Sequence, residues 1–342
     1  MKRLINHSKF LLNNLIGRKR PVLASLNLTE LCNHNCAMCP VSEKKTFEGD
    51  LSTEQWKKII DKLSEYVTFY YLEGGEPTLR KDIVELIQYA HDIGLPTQLN
   101  TNGTLLHRVL PKCIGKIDTV MVSLDSGNKS TYIKQRGVDT FERVVENIRL
   151  ASDMEFNTMV NCVITKHNVN EIASEKYFDF VKRTKAKTIG ISLVESYPGI
   201  PYLLPGKKQI DAAMETILNY IKNDNDPPVI IAPSYFESIK KYGRPVYDEC
   251  QVFNSANIDN KGNVIVPYWK CMKAKYPLLK HGISEIWDNT NWIKCNDCVM
   301  HCVYMNSRIF KLFPNLADLM YSIKVGRKIF GSFPIWLNSK LS

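Results

Sequence analysis

The sequence predicts an α/β fold: a partial (β/α)6 barrel built on an open parallel sheet, followed by a small α+β domain. Three observations predict it. Strand-like and helical patterns alternate from residue 22 to about residue 235. After Pro227-Pro228 the alternation stops and a hairpin pattern takes over. Of ten cysteines, many for a chain without a signal peptide, eight cluster in two groups, one near the start of the alternation and one after its end.

Strand-like runs are Val22–Leu28, Val67–Leu72, Thr97–Asn100, Thr119–Leu124, Thr158–Thr165 and Thr188–Val194. The first intervening helix starts at the capping box Ser52-x-x-Gln55 and runs to about Leu63. A second spans Lys81–Ile93 and stops at Gly94, a favourable residue just past a helix end. Others cover Thr104–Lys112, Thr140–Asp153, Asn170–Arg183 and Lys207–Lys222. Six βα units are too few for a closed eight-stranded barrel, so the sheet is expected to stay open. Functional groups in such sheets gather at the C-terminal strand ends. Asn254–Ile258 and Val264–Tyr268 flank Asp259-Asn260-Lys261-Gly262 and predict the hairpin.

Charge divides the chain further. Residues 1–30 carry six Lys/Arg against one acid, and residues 303–342 again six against one; these two tails hold the entire net charge of +10. Both tails are amphipathic. Leu4, Ile5, Leu11, Leu12, Leu15 and Ile16 form one stripe, and Leu312, Phe313, Leu316, Leu319, Met320 and Ile323 a second. Such helices either pack their stripe on the core or lie in a membrane interface beside anionic lipid. Nucleic acid is not an expected partner, because the basic residues do not interleave with a binding motif. The expected organisation is a basic amphipathic segment over 1–21, the barrel over 22–235, the small domain over 236–305, and a basic amphipathic tail over 306–342. No run of 18 apolar residues is present, so the expectation is a cytoplasmic protein with peripheral contact to the inner face of the membrane.

Chemistry concentrates in Cys32-Asn33-His34-Asn35-Cys36-Ala37-Met38-Cys39, directly after the first strand. Three thiolates at C-x3-C-x2-C spacing can hold three irons of a [4Fe–4S] cube and leave the fourth iron open to a ligand. Structural zinc usually takes four ligands, and His34 would have to fold back inside the loop to be the fourth. The second strand ends in Glu73-Gly74-Gly75-Glu76-Pro77, where glycines let backbone approach a ligand closely and a carboxylate can accept from an ammonium group. The fourth ends in Ser123-Leu124-Asp125, with both polar side chains on one face, and the fifth carries Asn161 between valines. Each motif alone reads as a turn. Their common position at strand ends is the informative part.

Taken in order, these motifs over residues 22–225 resemble the core of the radical S-adenosylmethionine (SAM) enzymes. The resemblance implies that Cys32, Cys36 and Cys39 bind a [4Fe–4S] cluster whose open iron is chelated by SAM. Gly74, Gly75 and Glu76 would then hold the methionine amino group. Ser123 and Asp125 would contact the carboxylate and ribose side, with Arg136 near the carboxylate, and Asn161 the nucleoside side. Met38 stands where the family usually has an aromatic residue beside the adenine. The activity implied is one-electron cleavage of SAM to a 5′-deoxyadenosyl radical that attacks an unactivated carbon, fed by a flavodoxin or ferredoxin.

A second group, Cys250, Cys271, Cys295, Cys298 and Cys302, surrounds the hairpin. Four thiolates with one C-x2-C pair would suffice for structural zinc. Beside a radical SAM core the arrangement resembles the SPASM/twitch domains, which implies one auxiliary [4Fe–4S] cluster. Cys250, Cys271, Cys295 and Cys298 are its expected ligands and Cys302 a substitute. Cys113 and Cys162 read as core residues. The run from Cys295 to Tyr304 also resembles the C-terminal signature of radical SAM enzymes that join adenosine to hopanoid lipids. With the basic tails, it directs the substrate expectation toward a membrane lipid or isoprenoid. A peptide or protein maturase and a small-metabolite dehydrogenase are the enzymatic alternatives. An iron–sulfur electron carrier or zinc scaffold is the non-enzymatic one.

Overall fold

The computed structural model describes residues 2–39, 48–195, 203–247, 250–267, 271–292, 298, 301–309 and 315–330. Six parallel strands match the expected runs: β1 (Leu23–Asn27), β2 (Tyr70–Glu73), β3 (Thr97–Thr101), β4 (Thr119–Ser123), β5 (Thr158–Ile164) and β6 (Thr188–Leu193). The helices are α1 (Lys2–Leu15), α2 (Thr53–Ser64), α3 (Ile83–Asp92), α4 (Leu106–Val109), α5 (Lys129–Arg136), α6 (Phe141–Asp153), α7 (Val169–Ala173), α8 (Lys176–Thr184), α9 (Lys207–Lys222), α10 (Pro233–Tyr242), α11 (Ile283–Asn289), α12 (His301–Ile309) and α13 (Leu316–Phe330). The Ser52/Gln55 capping box forms as expected.

The sheet runs β6-β5-β4-β3-β2-β1 and then continues. The hairpin strands β7 (Ser255–Ile258) and β8 (Asn263–Val266) do form, and β7 pairs in parallel with β1. A further strand, β9 (Ala274–Pro277), pairs antiparallel with β8. Among the described residues the hairpin therefore extends the open barrel sheet to nine strands. Sequence periodicity carries no information on such edge pairing, because the partner lies more than 200 residues away.

Alternation along each strand sorts the two faces. Leu26, Leu72, Leu99, Val122, Val160, Ile191 and Ile258 point outward into one continuous core with the helices. Trp56, Ile59 and Ile60 of α2 are fully buried there. Ser25, Asn27, Glu73, Gln98, Asn100, Ser123 and Asn161 occupy the alternate, concave positions. The helix expected over Asn170–Arg183 is two helices, broken at Ser174-Glu175, where Glu175 adopts a left-handed φ of 62°. Helices α5 and α10 escape the sequence reading. The first is short and mostly polar, which hides its periodicity.

Candidate active site

The cysteine loop is gripped from two sides at the C-terminal rim of the sheet. From β2, Gly75 N–H donates to the Thr29 carbonyl at 2.6 Å and Glu76 N–H to that of Leu31 at 2.7 Å. From the end of α5, the carbonyls of Arg136 and Gln135 accept from Asn35 N–H (3.1 Å) and Ala37 N–H (2.9 Å). Glycine is required at both grips. A Cβ on Gly75 would stand 2.3 Å from the Leu31 carbonyl oxygen, and one on Gly137 2.2 Å from that of Asn35. Gly137 also ends α5 in the left-handed conformation, φ 71°.

His34 is a pin of this loop. It is 4% exposed, and its Nε2 lies 3.0 Å from Thr104 Oγ1 and 3.2 Å from Thr140 Oγ1. Burial, with Arg136 nearby, pulls its pKa down to about 4, so the ring is neutral at pH 7.

Glu76 is fully buried beneath the loop. Its Oε1 accepts from Thr78 N–H at 3.0 Å, from the Thr78 hydroxyl and from Thr101 Oγ1 at 2.7 Å; Oε2 accepts from Asn102 N–H at 2.6 Å. Burial pushes its pKa upward against these four donors. One carboxylate thereby ties the end of β2 to the end of β3, and it faces inward.

Cys32, Cys36 and Cys39 are partly exposed. Cys32 Sγ accepts from His34 N–H at 3.4 Å and lies 3.9 Å from Asn102 Nδ2. Arg136 Nη1 lies 3.7 Å from Cys36 Sγ. Burial pushes the Cys32 thiol up to about 11, with Glu76, Cys36 and Cys39 adding to the rise. Burial raises the Cys36 thiol as well, and thiols held above their usual range need a cationic partner to ionise, which is what a metal cluster supplies. Among the described residues no three His, Cys, Asp or Glu side chains are gathered around a single-ion position. A cube gives each thiolate its own iron, so its sulfurs stand farther apart than ligands of one ion.

Asp125 and Arg136 form a buried ion pair, Nε to Oδ2 at 2.7 Å, while Asp125 Oδ1 accepts from Val163 N–H at 2.8 Å. Burial alone would lower the guanidinium pKa, but Asp125 and the Cys36 thiol outweigh it and keep Arg136 charged. Asp125 is 0% exposed, so it acts on the site through Arg136.

Ser123 and Asn161 are register partners on β4 and β5 and share the concave face. Asn161 Oδ1 is buried without a hydrogen-bond partner among the described residues. Gly190 on β6 stands opposite it, and a Cβ there would come within 2.6 Å of that oxygen. Met38 packs with Val163, Val194 and Leu203 at the ends of β5 and β6. The sequence-predicted residues thus share one rim, with an unfilled acceptor at its centre.

Below the rim, the concave face carries a hydrogen-bonded relay that the sequence reading missed. Gln98 Nε2 donates to Asn100 Oδ1 at 2.8 Å, and Asn100 Nδ2 to Glu73 Oε2 at 2.7 Å. Ser25 Oγ donates to Glu73 Oε1. Burial pushes the Glu73 pKa up. Asn27, the register partner of Glu73, holds a buried Oδ1 that accepts no hydrogen bond among the described residues. A polar residue at every second position of β1–β3 was the available signal.

Of the second cysteine group, Cys250 and Cys298 are buried and Cys271 is partly exposed beside the same core. Cys298 N–H donates to Tyr247 Oη at 3.0 Å, and its Sγ lies 3.6 Å from Glu195 Oε2, just past the end of β6. Cys302 belongs to α12, and Cys295 lies outside the described residues. Cys113 and Cys162 are buried in the main core, as expected.

Comparison with known proteins agrees with this geometry. Residues 26–181 match the model of the Radical SAM superfamily. Fe-coproporphyrin III synthase of Methanosarcina barkeri (strain Fusaro / DSM 804) is 35% identical over 176 residues, 50% of this chain and 43% of that protein. Mycofactocin maturase MftC of Mycolicibacterium smegmatis is 33% identical over 165 residues, 46% of this chain and 41% of that protein. The chain thus spans less than half the length of these curated relatives. Among solved structures, Streptococcus suis SuiB bound to S-adenosylmethionine superimposes with a TM-score of 0.66 at 14% identity, covering 87% of this chain and 71% of SuiB. Native anSMEcpe with bound AdoMet gives 0.64 at 17% identity, covering 91% and 96%. Residues 26–181 thus form a radical SAM domain, and the relatives that share it are enzymes by name. Its family implies a [4Fe–4S] cluster and SAM as cofactors and an external reductant.

Proposed function

We propose that the chain initiates radical chemistry at its C-terminal rim. Cys32, Cys36 and Cys39 hold the [4Fe–4S] cluster, and SAM occupies the space bounded by Gly74-Gly75, Ser123, Asn161 and Met38. Together these groups supply one-electron cleavage of the S–C5′ bond and a carbon radical able to take hydrogen from an unactivated position. The observation that carries this reading is the unpartnered, buried Asn161 Oδ1 on the same rim as the twice-gripped cysteine loop.

The remaining residues orient and neutralise. Gly74 and Gly75 bring backbone close to the ligand's amino group. The Glu76 carboxylate ties the ends of β2 and β3 while its N–H holds the loop at Leu31, and Asp125 holds Arg136, whose charge offsets thiolate charge at Cys36. Cys250, Cys271, Cys295 and Cys298, with Cys302 as a substitute, hold one auxiliary [4Fe–4S] cluster of the SPASM/twitch type. Of this group, Cys298 stands beside Glu195, just past the end of β6. A flavodoxin or ferredoxin supplies the electron.

For the substrate, the Gln98–Asn100–Glu73–Ser25 relay favours a molecule rich in hydrogen-bond donors. That supports a peptide or a polar metabolite over the hydrocarbon of a lipid or isoprenoid, since the buried Asn27 Oδ1 beside this relay accepts no hydrogen bond among the described residues and an apolar chain would leave it so. MftC is a maturase by name, and one SuiB structure holds a precursor peptide.

The test is anaerobic reconstitution, with iron and sulfide counted and 5′-deoxyadenosine assayed after SAM and dithionite. About eight irons per chain and 5′-deoxyadenosine formation are expected, with about half the iron and all of the product lost when Cys32, Cys36 and Cys39 become alanine. Zinc in place of iron, or iron without SAM cleavage, leaves a scaffold or an electron carrier.

A further inference from the structure

Helix α1 is mounted with its apolar stripe facing outward. Its inner face is anchored by Asn6, 2% exposed, whose Nδ2 donates to the carbonyls of Ser64 (2.8 Å) and Val67 (2.7 Å). Phe10, also buried, packs on Val22, Leu23 and Phe69. At 100° per residue, Asn6 and Phe10 lie opposite Leu4, Ile5, Leu11, Leu12 and Leu15, and Ile16 follows just past the helix end. Those six are 42–62% exposed. They are nearly half of the large exposed hydrophobics among the described residues, concentrated on thirteen consecutive positions. A soluble surface scatters such residues singly; a contiguous stripe marks a docking face.

We propose that this face seats the protein on an anionic membrane surface. Residues 1–29 contain six Lys/Arg and no carboxylate. Lys9 at the edge of the stripe and Arg18 just beyond the helix are exposed. Apolar side chains flanked by cations, on a helix too short and too polar to cross a bilayer, fit the interface between headgroups and acyl chains. A second copy of the chain fits worse, because two such faces would meet cation to cation with no carboxylate on either segment.

The placement also sets an orientation. Val67 and Phe69 precede β2, and Leu23 opens β1, so α1 sits under the N-terminal rim of the sheet. The cysteine loop is a strand's length away, about 15 Å, at the other rim. The membrane face therefore tethers the enzyme with its reaction centre directed away from the lipid.

Flotation of the full-length, cluster-loaded enzyme with phosphatidylglycerol/phosphatidylcholine vesicles and with pure phosphatidylcholine vesicles tests this. Wild type is expected to float with the anionic vesicles only. The double variant Leu12→Gln/Leu15→Gln is expected to need about tenfold more lipid or higher, with 5′-deoxyadenosine formation unchanged. Hydrogen exchange on the vesicles should slow at α1 and leave residues 28–39 unaffected. Absence of anionic-vesicle binding, equal binding by the variant, or protection at 28–39 in place of α1 overturns the proposal. So does a wild-type dimer in light scattering that the double variant dissociates, which would assign the face to a second copy.

Discussion

The two rims of the sheet solve opposite problems. At the C-terminal rim polar groups are driven inward: Glu76 and the Asp125–Arg136 pair are buried against named partners, and buried His34 is pinned through its Nε2. At the N-terminal rim apolar groups are driven outward, with five aliphatic side chains of α1 and the adjoining Ile16 left exposed while Asn6 holds the inner face. The first arrangement costs desolvation and gains a rigid loop; the second leaves a hydrophobic driving force unspent in the isolated chain. A buried charge network and an exposed apolar stripe both cost stability in the isolated chain. Each makes sense as readiness for something that binds.

That contrast can be broken by substitution. Asp125→Asn should have the largest effect on folding, leaving Arg136 as an uncompensated buried charge at about 3–5 kcal/mol. Chemical denaturation of the apo-protein should report it, and a change under 1 kcal/mol would mean that the pair is solvated. Gly75→Ala forces backbone apart at the loop grip and should cost about 3 kcal/mol. It should also lower iron loading several-fold, read from the absorbance of reconstituted protein; full loading would show that the loop moves freely. Glu76→Gln keeps the shape but places an N–H among four donors, with an expected loss of about 2 kcal/mol. The melting temperature of the apo-protein gives it directly. Glu73→Gln sharpens the comparison within the barrel. Stability should change little or rise, because burial penalises the charged form and raises the Glu73 pKa. For such a group the penalty is absent below the ordinary carboxylate pKa and grows as pH rises above it, so the gain in Glu73→Gln should be greater at pH 7 than at pH 4. A variant less stable at pH 7 than wild type would show that the carboxylate is needed as an ion in the free protein. Leu15→Gln on α1 should have the smallest effect, within about 0.5 kcal/mol in the absence of lipid; a large loss would mean that the stripe packs on the protein in solution.

Much of the C-terminal rim could be read in advance because its parts are local. The C-x3-C-x2-C loop, the Gly74-Gly75 turn and the Ser123/Asn161 pair each lie within a few residues of a strand end, and strand ends follow from period-two patterning. The role of Glu76 was less legible, since its partners Thr101 and Asn102 arrive from the next strand. Arg136 sits on a helix too polar to announce itself, and its pairing with Asp125 spans an intervening loop. Glu73 read as the flank of a turn until Asn100 and Ser25 came beside it from neighbouring strands.

By itself, the sequence determined the six βα units, the strand ends where chemistry gathers, the thiol spacing and the concentration of charge on the tails. Those properties depend on neighbours along the chain. Tertiary structure alone decided that the hairpin joins β1, that Glu76 and Asp125 face inward, and that the α1 stripe faces out. A helical stripe specifies a face but not which side of the helix meets the protein; here two backbone carbonyls near residues 64 and 67 took the polar side through Asn6 and left the apolar side exposed.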